Sequence, residues 1–215
     1  MDFGTAWHCA VLEPEEYARQ YVVCPHDGRT KAGKDWKELH ADSKILSVVE
    51  CELIKSMRYG IGENVKAVLL LECSGTVEES YFWTDIITGV ECRCRPDKIV
   101  EIGGRVIVLD LKTTQDASPA AFAKSIAQFG YHRQQYFYTA GLRENGIDVD
   151  EWYFVVSEKT APHETAIYTL DPGAVAVGEY ECQNALDRFN VCKTRNSWPG
   201  LGDRITTVSL PTWYK

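Results

Sequence analysis

The most constraining feature of this sequence is a predicted β-hairpin that carries two aspartates and one lysine. Residues 106–109 are apolar and largely β-branched, as in a buried strand, and a Gly103-Gly104 turn precedes that strand. Because side chains alternate along a strand, Asp110 and Lys112 should share one face of it. Antiparallel pairing across the turn should then bring Asp97 close to Asp110.

These three side chains are suited to one kind of chemistry. Two carboxylates at such a distance repel each other unless a cation lies between them, and their oxygen atoms suit Mg²⁺ or Mn²⁺. A lysine beside that cation can orient or deprotonate a water molecule, as metal-assisted phosphodiester hydrolysis requires. The alternative interpretation is that Asp97, Asp110 and Lys112 are solvated charges or a surface ion pair at strand ends.

The whole sequence predicts one domain over residues 1–215, of the α/β (α+β) class, with a mixed central sheet, an antiparallel meander and flanking helices. Strands are predicted at residues 77–84, 90–101, 105–112, 151–157 and 164–170. Helices are predicted at residues 7–12, 45–58, 119–129, 131–143 and 172–193. Asp42 or Ser43 should cap the second helix, and Ser118-Pro119 should begin the third, which Gly130 ends.

The composition limits the choice of partners. With 45% hydrophobic and 25% charged residues the chain is an ordinary globular one. Its net charge of −8 argues against a surface that coats nucleic acid, although a basic channel inside an acidic shell is compatible with it. Such a channel has eight candidate residues: Arg29, Lys31, Lys34, Lys37, Arg93, Arg95, Lys124 and Arg133. For the segment 29–37, a solvated helix face is at least as good an interpretation.

The sequence shows no recognisable targeting signal, and its scattered cysteines are typical of a reducing compartment. No apolar run approaches the roughly 20 residues that cross a bilayer, and the first residues lack a basic region followed by an apolar one. We therefore expect a cytoplasmic protein without a membrane partner, in the bacterial host cytoplasm if a phage encodes it. The eight cysteines are scattered, without a Cys-x₂-Cys pair, and should be reduced thiols.

Further candidates lie outside the hairpin. Gln134 and Tyr138 are four residues apart and project from one face of a predicted helix, where both can reach a phosphate or a metal-bound water. In isolation, a polar residue beside a packed aromatic is the commoner arrangement. His8 lies in an apolar segment, where histidines are more often semi-buried than ligands. Either Glu78 or Glu79 should face Asp97, and the spacing does not say which.

Taken in order, these residues resemble the motif set of the PD-(D/E)XK nuclease superfamily, RecB-like branch: His8, Glu78, Asp97, Asp110-Leu111-Lys112 and Gln134-x-x-x-Tyr138. More narrowly, four segments resemble the C-terminal nuclease domains of the RecE (exonuclease VIII) type, including phage and prophage relatives. They are Gly-Thr-Ala-Trp-His at 4–8, Cys-Arg-Cys-Arg-Pro-Asp-Lys at 92–98, Asp-Leu-Lys-Thr-Thr at 110–114 and Tyr-His-Arg-Gln at 131–134. The closing segments 197–199 and 210–213 fit the same family, and the resemblance covers nearly the whole chain.

The resemblance implies a 5′-to-3′ exonuclease that resects linear double-stranded DNA and leaves 3′ single-stranded tails for recombination. It implies Mg²⁺, with Mn²⁺ able to substitute, held by five groups: Asp97, Asp110, Glu78, His8 and the Leu111 carbonyl. Lys112 would position or activate the attacking water, while Gln134 and Tyr138 would orient the scissile phosphate. The resemblance also favours Glu78 over Glu79 as the ligand.

The same resemblance implies partners. RecE-type domains assemble as ring-shaped homotetramers around a central channel. The 3′ single-stranded tails that they produce are used by a single-strand annealing protein of the RecT type. Relatives usually carry a further helical segment before the Gly-Thr-Ala-x-His motif, whereas His8 is close to the start of this sequence. End binding and ring assembly can differ accordingly.

Two other functions are compatible with parts of the sequence. A RecB-like nuclease of the CRISPR-adaptation or AddB type would hold an iron–sulfur cluster on one upstream and three clustered downstream cysteines. Only Cys182 and Cys192 lie downstream, which argues against that type. A non-catalytic module that binds DNA ends or recruits a partner is the second alternative, and the intact acid–acid–lysine set argues against it.

Overall fold

A computed structural model, which describes residues 3–202, 205–212 and 214, gives the order of the elements. The helices are α1 (Phe3–Leu12), α2 (Pro14–Gln20), α3 (Lys31–Leu39), α4 (Val48–Gly62), α5 (Val65–Glu72), α6 (Pro119–Phe129), α7 (Tyr131–Glu144) and α8 (Pro172–Arg195). The strands are β1 (Tyr21–Cys24), β2 (Lys44–Ser47), β3 (Gly75–Val77), β4 (Tyr81–Thr84), β5 (Glu91–Cys94), β6 (Lys98–Ile102), β7 (Arg105–Thr114), β8 (Glu151–Glu158) and β9 (Thr165–Tyr168).

The central sheet contains five strands in the order β3-β6-β7-β8-β9. Strand β6 is antiparallel to both β3 and β7, β7 and β8 are parallel, and β9 is antiparallel to β8. Helices α6 and α7 lie between β7 and β8 in the sequence, because parallel neighbours need a long crossover connection. The predicted fold class, a mixed sheet flanked by helices, is confirmed.

Helices cover both faces of this sheet, and the alternation along β7 decides which groups each face receives. Leu111 is fully buried in a cluster with residues of α1 and α4. Val108 is fully buried in a second cluster with residues of α6 and α7. Asp110 and Lys112 follow Val108 at intervals of two and therefore lie on the face that α6 and α7 cover.

The predicted meander is broken at two points that matter for the site. The predicted strand 77–84 is wrong as one element, because Glu78 takes a left-handed conformation with φ of 51° between β3 and β4. The predicted strand 90–101 also divides, since Pro96 has no N–H for a strand ladder and lies between β5 and β6. As a result β4 and β5 pair only with each other, in a separate antiparallel hairpin.

The helix predicted at 45–58 begins later than expected. Residues 44–47 form β2, which pairs in parallel with β1, and α4 starts at Val48. Its cap is neither Asp42 nor Ser43 but Ser47. The Ser47 hydroxyl accepts a hydrogen bond from the Glu50 backbone N–H, and the Glu50 carboxylate accepts one from the Ser47 N–H. This reciprocal capping box satisfies two exposed helix donors and fixes the start of the helix.

The later helices agree with the sequence. Ser118 caps α6 and Pro119 occupies its first turn, while Gly130, with φ of 72°, separates α6 from α7. The closing motif that ends at Trp213 lies partly outside the described residues, and Trp198 of the other closing motif packs edge-on against Phe189. None of the helices in the described ranges is long and apolar enough to cross a membrane.

Candidate active site

The predicted pairing of the two aspartates is present. Lys98 of β6 pairs with Leu109 of β7, so that Asp97 and Asp110 are neighbours where the ladder ends. The Asp97 carboxylate accepts a hydrogen bond of 2.6 Å from the Leu111 backbone N–H. Asp97 is 9% exposed and Asp110 only 1%, and buried carboxylates of this kind need partners.

Asp110, Lys112 and Gln134 form a closed network on the face of the sheet that α7 covers. The Lys112 ammonium group contacts Asp110 Oδ2. The same ammonium donates a hydrogen bond of 3.0 Å to Gln134 Oε1, and Gln134 Nε2 donates to Asp110 Oδ1. Gln134 lies in the first turn of α7, directly after the Gly130 bend. The helix therefore places an amide that holds both charged groups at once.

His8, Glu78 and Asp97 form a second group beside this network. Their ligand atoms all lie within 4.8 Å of one another, and His8 Nδ1 is 3.5 Å from Asp97 Oδ2. The left-handed conformation of Glu78 lets its backbone N–H donate to the Asp97 carbonyl at 3.1 Å. Its carboxylate also pairs with Arg95 Nε at 2.8 Å.

The glutamate next to it points elsewhere. The Glu79 carboxylate accepts a hydrogen bond of 3.0 Å from the Tyr81 hydroxyl, whereas Glu78 joins His8 and Asp97. The spacing left the choice between the two open, and the structure places Glu78 in the site.

Burial controls the protonation of the site. It raises the pKa of Asp97 and of Asp110 to about 6, and the ammonium of Lys112 opposes the rise in both. Burial alone would lower the pKa of Lys112, but the carboxylates of Asp110 and Asp97 outweigh it, and the pKa is raised. Burial lowers the pKa of His8, which favours the neutral imidazole that can bind a metal.

The donor atoms fit a hard divalent cation. The group formed by His8, Glu78 and Asp97 offers two carboxylates and one imidazole nitrogen, which suit Mg²⁺ or Mn²⁺. The backbone of Leu111 lies beside these groups, because its N–H donates to the Asp97 carboxylate and the same backbone opposes the fall in the pKa of His8. Asp110, which the sequence predicts as a direct ligand, lies outside this group because Lys112 and Gln134 hold its carboxylate.

Two tyrosines of α7 border the network. Tyr138 packs edge-on against Trp152, and its pKa is raised by burial and then by the negative charge of Asp110. Tyr131, which sequence reasoning missed as a site residue, lies with its ring centre 4.7 Å from Lys112 Nζ. The signal was present, because residues 131, 134 and 138 follow helical spacing on one face.

The candidate basic residues are dispersed. Arg95 is the one in contact with the site, through Glu78. Arg29 pairs with Asp27, Arg133 lies near Glu181, and the lysines of α3 are exposed. The solvated-face interpretation therefore holds for segment 29–37.

A cleft opens on His8 and Glu78, beside Asp97. It has a volume of about 630 Å³ and is bordered by α1, α2 and the residues on either side of the β4–β5 hairpin. His8, Glu78 and Arg95 line it together with Tyr21 and Lys44. The site is thus open to a ligand of considerable size.

Solved structures resemble this one to different degrees. The crystal structure of a "Putative exonuclease" from Eubacterium rectale has a TM-score of 0.58 and 11% identity, over 98% of this chain and 78% of that one. SSO0001 gives a TM-score of 0.35 with 15% identity over 85% and 84% of the two chains. LHK-Exo in complex with dAMP gives 0.29 with 12% identity over 89% and 91%. The first similarity is one of fold alone, and the other two are too distant to add to it.

The sequence itself gives a wider match. No curated protein matches the chain significantly. A family model described as "PDDEXK-like domain of unknown function (DUF3799)" matches residues 1–210. Since that match spans nearly all of the chain and the fold agrees with it, the protein belongs to this PDDEXK-like family, within the PD-(D/E)XK nuclease superfamily.

Proposed function

We propose that this protein is a divalent-metal-dependent deoxyribonuclease that hydrolyses phosphodiester bonds at the ends of linear double-stranded DNA. One observation carries the proposal: the buried network of Asp110, Lys112 and Gln134 lies directly beside the His8, Glu78 and Asp97 group. Strongly perturbed charged groups that converge beside an open cleft are typical of catalytic sites.

Mg²⁺ would be held by Asp97, Glu78 and His8, with the Leu111 carbonyl as a further oxygen donor and Asp110 next to them. When bound, such an ion polarises the phosphoryl group and stabilises the charge that develops on the leaving 3′ oxygen. It would also offset the repulsion between the two buried carboxylates. Membership of a PDDEXK-like family supports this use of the site.

Lys112 would act as a hydrogen-bond donor. Its raised pKa keeps the ammonium group charged at neutral pH, so it can orient a water molecule or a phosphate oxygen. Gln134 restricts the position of that ammonium through the 3.0 Å hydrogen bond. The Tyr138 hydroxyl would be a further hydrogen-bond donor to the phosphate. Of the two roles that the sequence allowed for the lysine, orientation of the water is thus favoured over its deprotonation.

The finer features of the proposal rest on the RecE-type motifs. We propose 5′-to-3′ digestion that leaves 3′ single-stranded tails, a RecT-like annealing partner, a ring-shaped homotetramer and a cytoplasmic location. We also propose that residues 1–215 act as one nuclease domain. The "Putative exonuclease" with a similar fold supports action from an end.

The test uses three DNA substrates: linear duplex labelled at its 5′ ends, the same duplex labelled at its 3′ ends, and covalently closed circular duplex. Each is incubated with the protein and Mg²⁺, or with EDTA, and acid-soluble label is followed over time. We expect rapid release of the 5′ label, delayed release of the 3′ label, an intact circle and no release in EDTA.

Other outcomes would change the proposal in defined ways. Early release of the 3′ label would reverse the polarity, and nicking of the circle would make the protein an endonuclease. Binding of the linear duplex without soluble product in Mg²⁺ or Mn²⁺ would favour the non-catalytic end-binding module instead.

A further inference from the structure

A second, smaller recess opens on Lys112 of the network, at the end of β7. Its volume is about 230 Å³, and Lys112, Thr113 and Tyr131 border it together with Phe129, Ser125 and Lys159. Lys159 follows β8, and its backbone N–H donates to the Thr114 carbonyl. The recess is below the usual 300–1,000 Å³ of small-molecule pockets, so it suits one flat group rather than a long ligand.

Two aromatic rings form one wall of this recess. Phe129 is the last residue of α6 and Tyr131 the first of α7, and the Gly130 bend between them stacks the rings with their centres 5.7 Å apart. Phe129 is 60% exposed although the ring is entirely apolar. An exposed aromatic ring beside lysine side chains is an arrangement that proteins use to stack nucleobases and bind their phosphates.

The charges around the recess are of one sign. None of the described residues that line it is acidic, in a chain whose net charge is −8. Lys112 is already engaged by Asp110 and Gln134, whereas the ammonium of Lys159 lies over the ring of Phe3, 5.7 Å from its centre. A cation over a ring gains little energy where water has access, so this lysine can turn to an anion at modest cost.

We propose that this recess is a nucleotide subsite, in which the Phe129 ring, supported by Tyr131, stacks on one nucleobase and Lys159 pairs with its phosphate. The inference rests on the proposed nuclease function and extends it. The subsite would hold the nucleotide next to the scissile bond, with the reacting phosphate near Lys112. Stacking is tolerant of sequence because every base has an aromatic face, so the subsite would position the strand without selecting a base.

The test measures binding and is independent of the metal. Titration calorimetry in EDTA gives the affinity of the wild-type protein for deoxyadenosine 5′-monophosphate, for deoxyadenosine and for inorganic phosphate. We expect Phe129→Ala to weaken binding of both the nucleotide and the nucleoside about tenfold or more. We expect Lys159→Gln to weaken binding of the nucleotide and of phosphate but to leave the nucleoside unchanged.

Two matched variants serve as controls: Tyr180→Ala removes an aromatic that is 71% exposed on α8, and Lys55→Gln removes an exposed lysine of α4. Both should bind like the wild type. No nucleotide binding by the wild type, or equal affinities for Phe129→Ala and Tyr180→Ala, would overturn the subsite. If nucleotide binding depends on Phe129 but the protein has no nuclease activity, only the proposed function is refuted. If the protein is an active nuclease but Phe129→Ala leaves nucleotide binding unchanged, only the subsite is refuted.

Discussion

At the scale of single residues, the site is built from charges that folding removes from water. Asp110 is almost fully buried and is compensated by one ammonium and one amide. Burying carboxylates in this way costs stability, and the cost is tolerable because each has hydrogen-bond donors around it. Residues kept at such a cost are better explained by chemistry than by packing.

This burial predicts how stability depends on pH. Asp110 has a pKa of about 6 in the folded protein, against about 4 in an unfolded chain, so the folded state binds more protons between these values. The free energy of unfolding should therefore fall as pH rises from about 4 to about 6. Asp110→Asn carries no such charge, so its stability relative to wild type should increase by about 1 kcal/mol between pH 5 and pH 7.

The measurement is urea unfolding of both proteins in EDTA at pH 5 and pH 7. Asp148→Asn, which replaces an aspartate with a 92% exposed side chain, is the control and should track the wild type at both values. A difference between Asp110→Asn and wild type that does not change with pH would show that burial leaves this carboxyl unperturbed.

At the scale of elements, the β4–β5 hairpin connects Glu78 and Asp97, the two carboxylates that we propose as metal ligands. Trp83 anchors it on α7, with its ring centre 4.9 Å from that of Phe137. Gly141 of α7 leaves the space for this ring, since a Cβ atom there would lie 2.4 Å from Trp83 Cζ3. The position of the ligands thus depends on one packing contact remote from them.

Gly141→Ala should therefore displace the hairpin. We expect it to lower the free energy of unfolding by about 1–3 kcal/mol, as overpacking does, and to weaken the apparent affinity of the nuclease for Mg²⁺. Thermal unfolding and a Mg²⁺ titration of nucleotide release measure the two effects. Gly62→Ala, which has open space around it at the end of α4, should be neutral or slightly stabilising. Equal behaviour of the two variants would contradict the proposed role of the hairpin.

The elements also show what could be predicted from the sequence. The β6–β7 register followed from the position of the glycine turn, and side-chain alternation along β7 put Asp110 and Lys112 on one face; both are local signals. The start of α4 did not, because Ile45 and Leu46 continue the helical stripe while pairing with β1 puts them in a strand. The left-handed Glu78 was equally hidden, since that conformation depends on its hydrogen bond with Asp97.

The site residues divide in the same way. Spacing along one strand or one helix was enough to group Asp110 with Lys112 and Gln134 with Tyr138. The contact of His8 with Asp97 joins residues far apart in the sequence, and only the resemblance to nuclease motifs related them. That Lys112 and Gln134 both bind the Asp110 carboxylate could be seen only in the three-dimensional structure.

At the scale of the whole molecule, the net charge is −8, so a divalent cation bound at the proposed site would stabilise the fold as well as supply chemistry. A ligand that binds only the folded state stabilises it by mass action, by about 2.7 kcal/mol at one hundred times its Kd. Mg²⁺ should therefore raise the unfolding temperature of the wild-type protein in a saturable way. Scanning calorimetry over a Mg²⁺ series at constant ionic strength measures this.

Asp97→Asn removes a proposed ligand and should abolish most of the Mg²⁺-dependent rise. Asp148→Asn is again the matched control, because it lowers the negative charge equally at an exposed position. If Asp97→Asn gained as much stability from Mg²⁺ as the wild type, the ion would bind elsewhere.

The most direct test of the central claim compares nucleotide release with DNA binding in Lys112→Ala. The proposal predicts that release from linear duplex in saturating Mg²⁺ falls at least 100-fold, while binding of the same duplex, measured in Ca²⁺, is retained. Lys55→Ala, at an exposed lysine of α4, should keep full activity. Because Lys112→Ala leaves a buried carboxylate without its cation, Lys112→Gln, which can still donate to Asp110, is measured beside it. Release at the wild-type rate by either folded Lys112 variant would contradict the account.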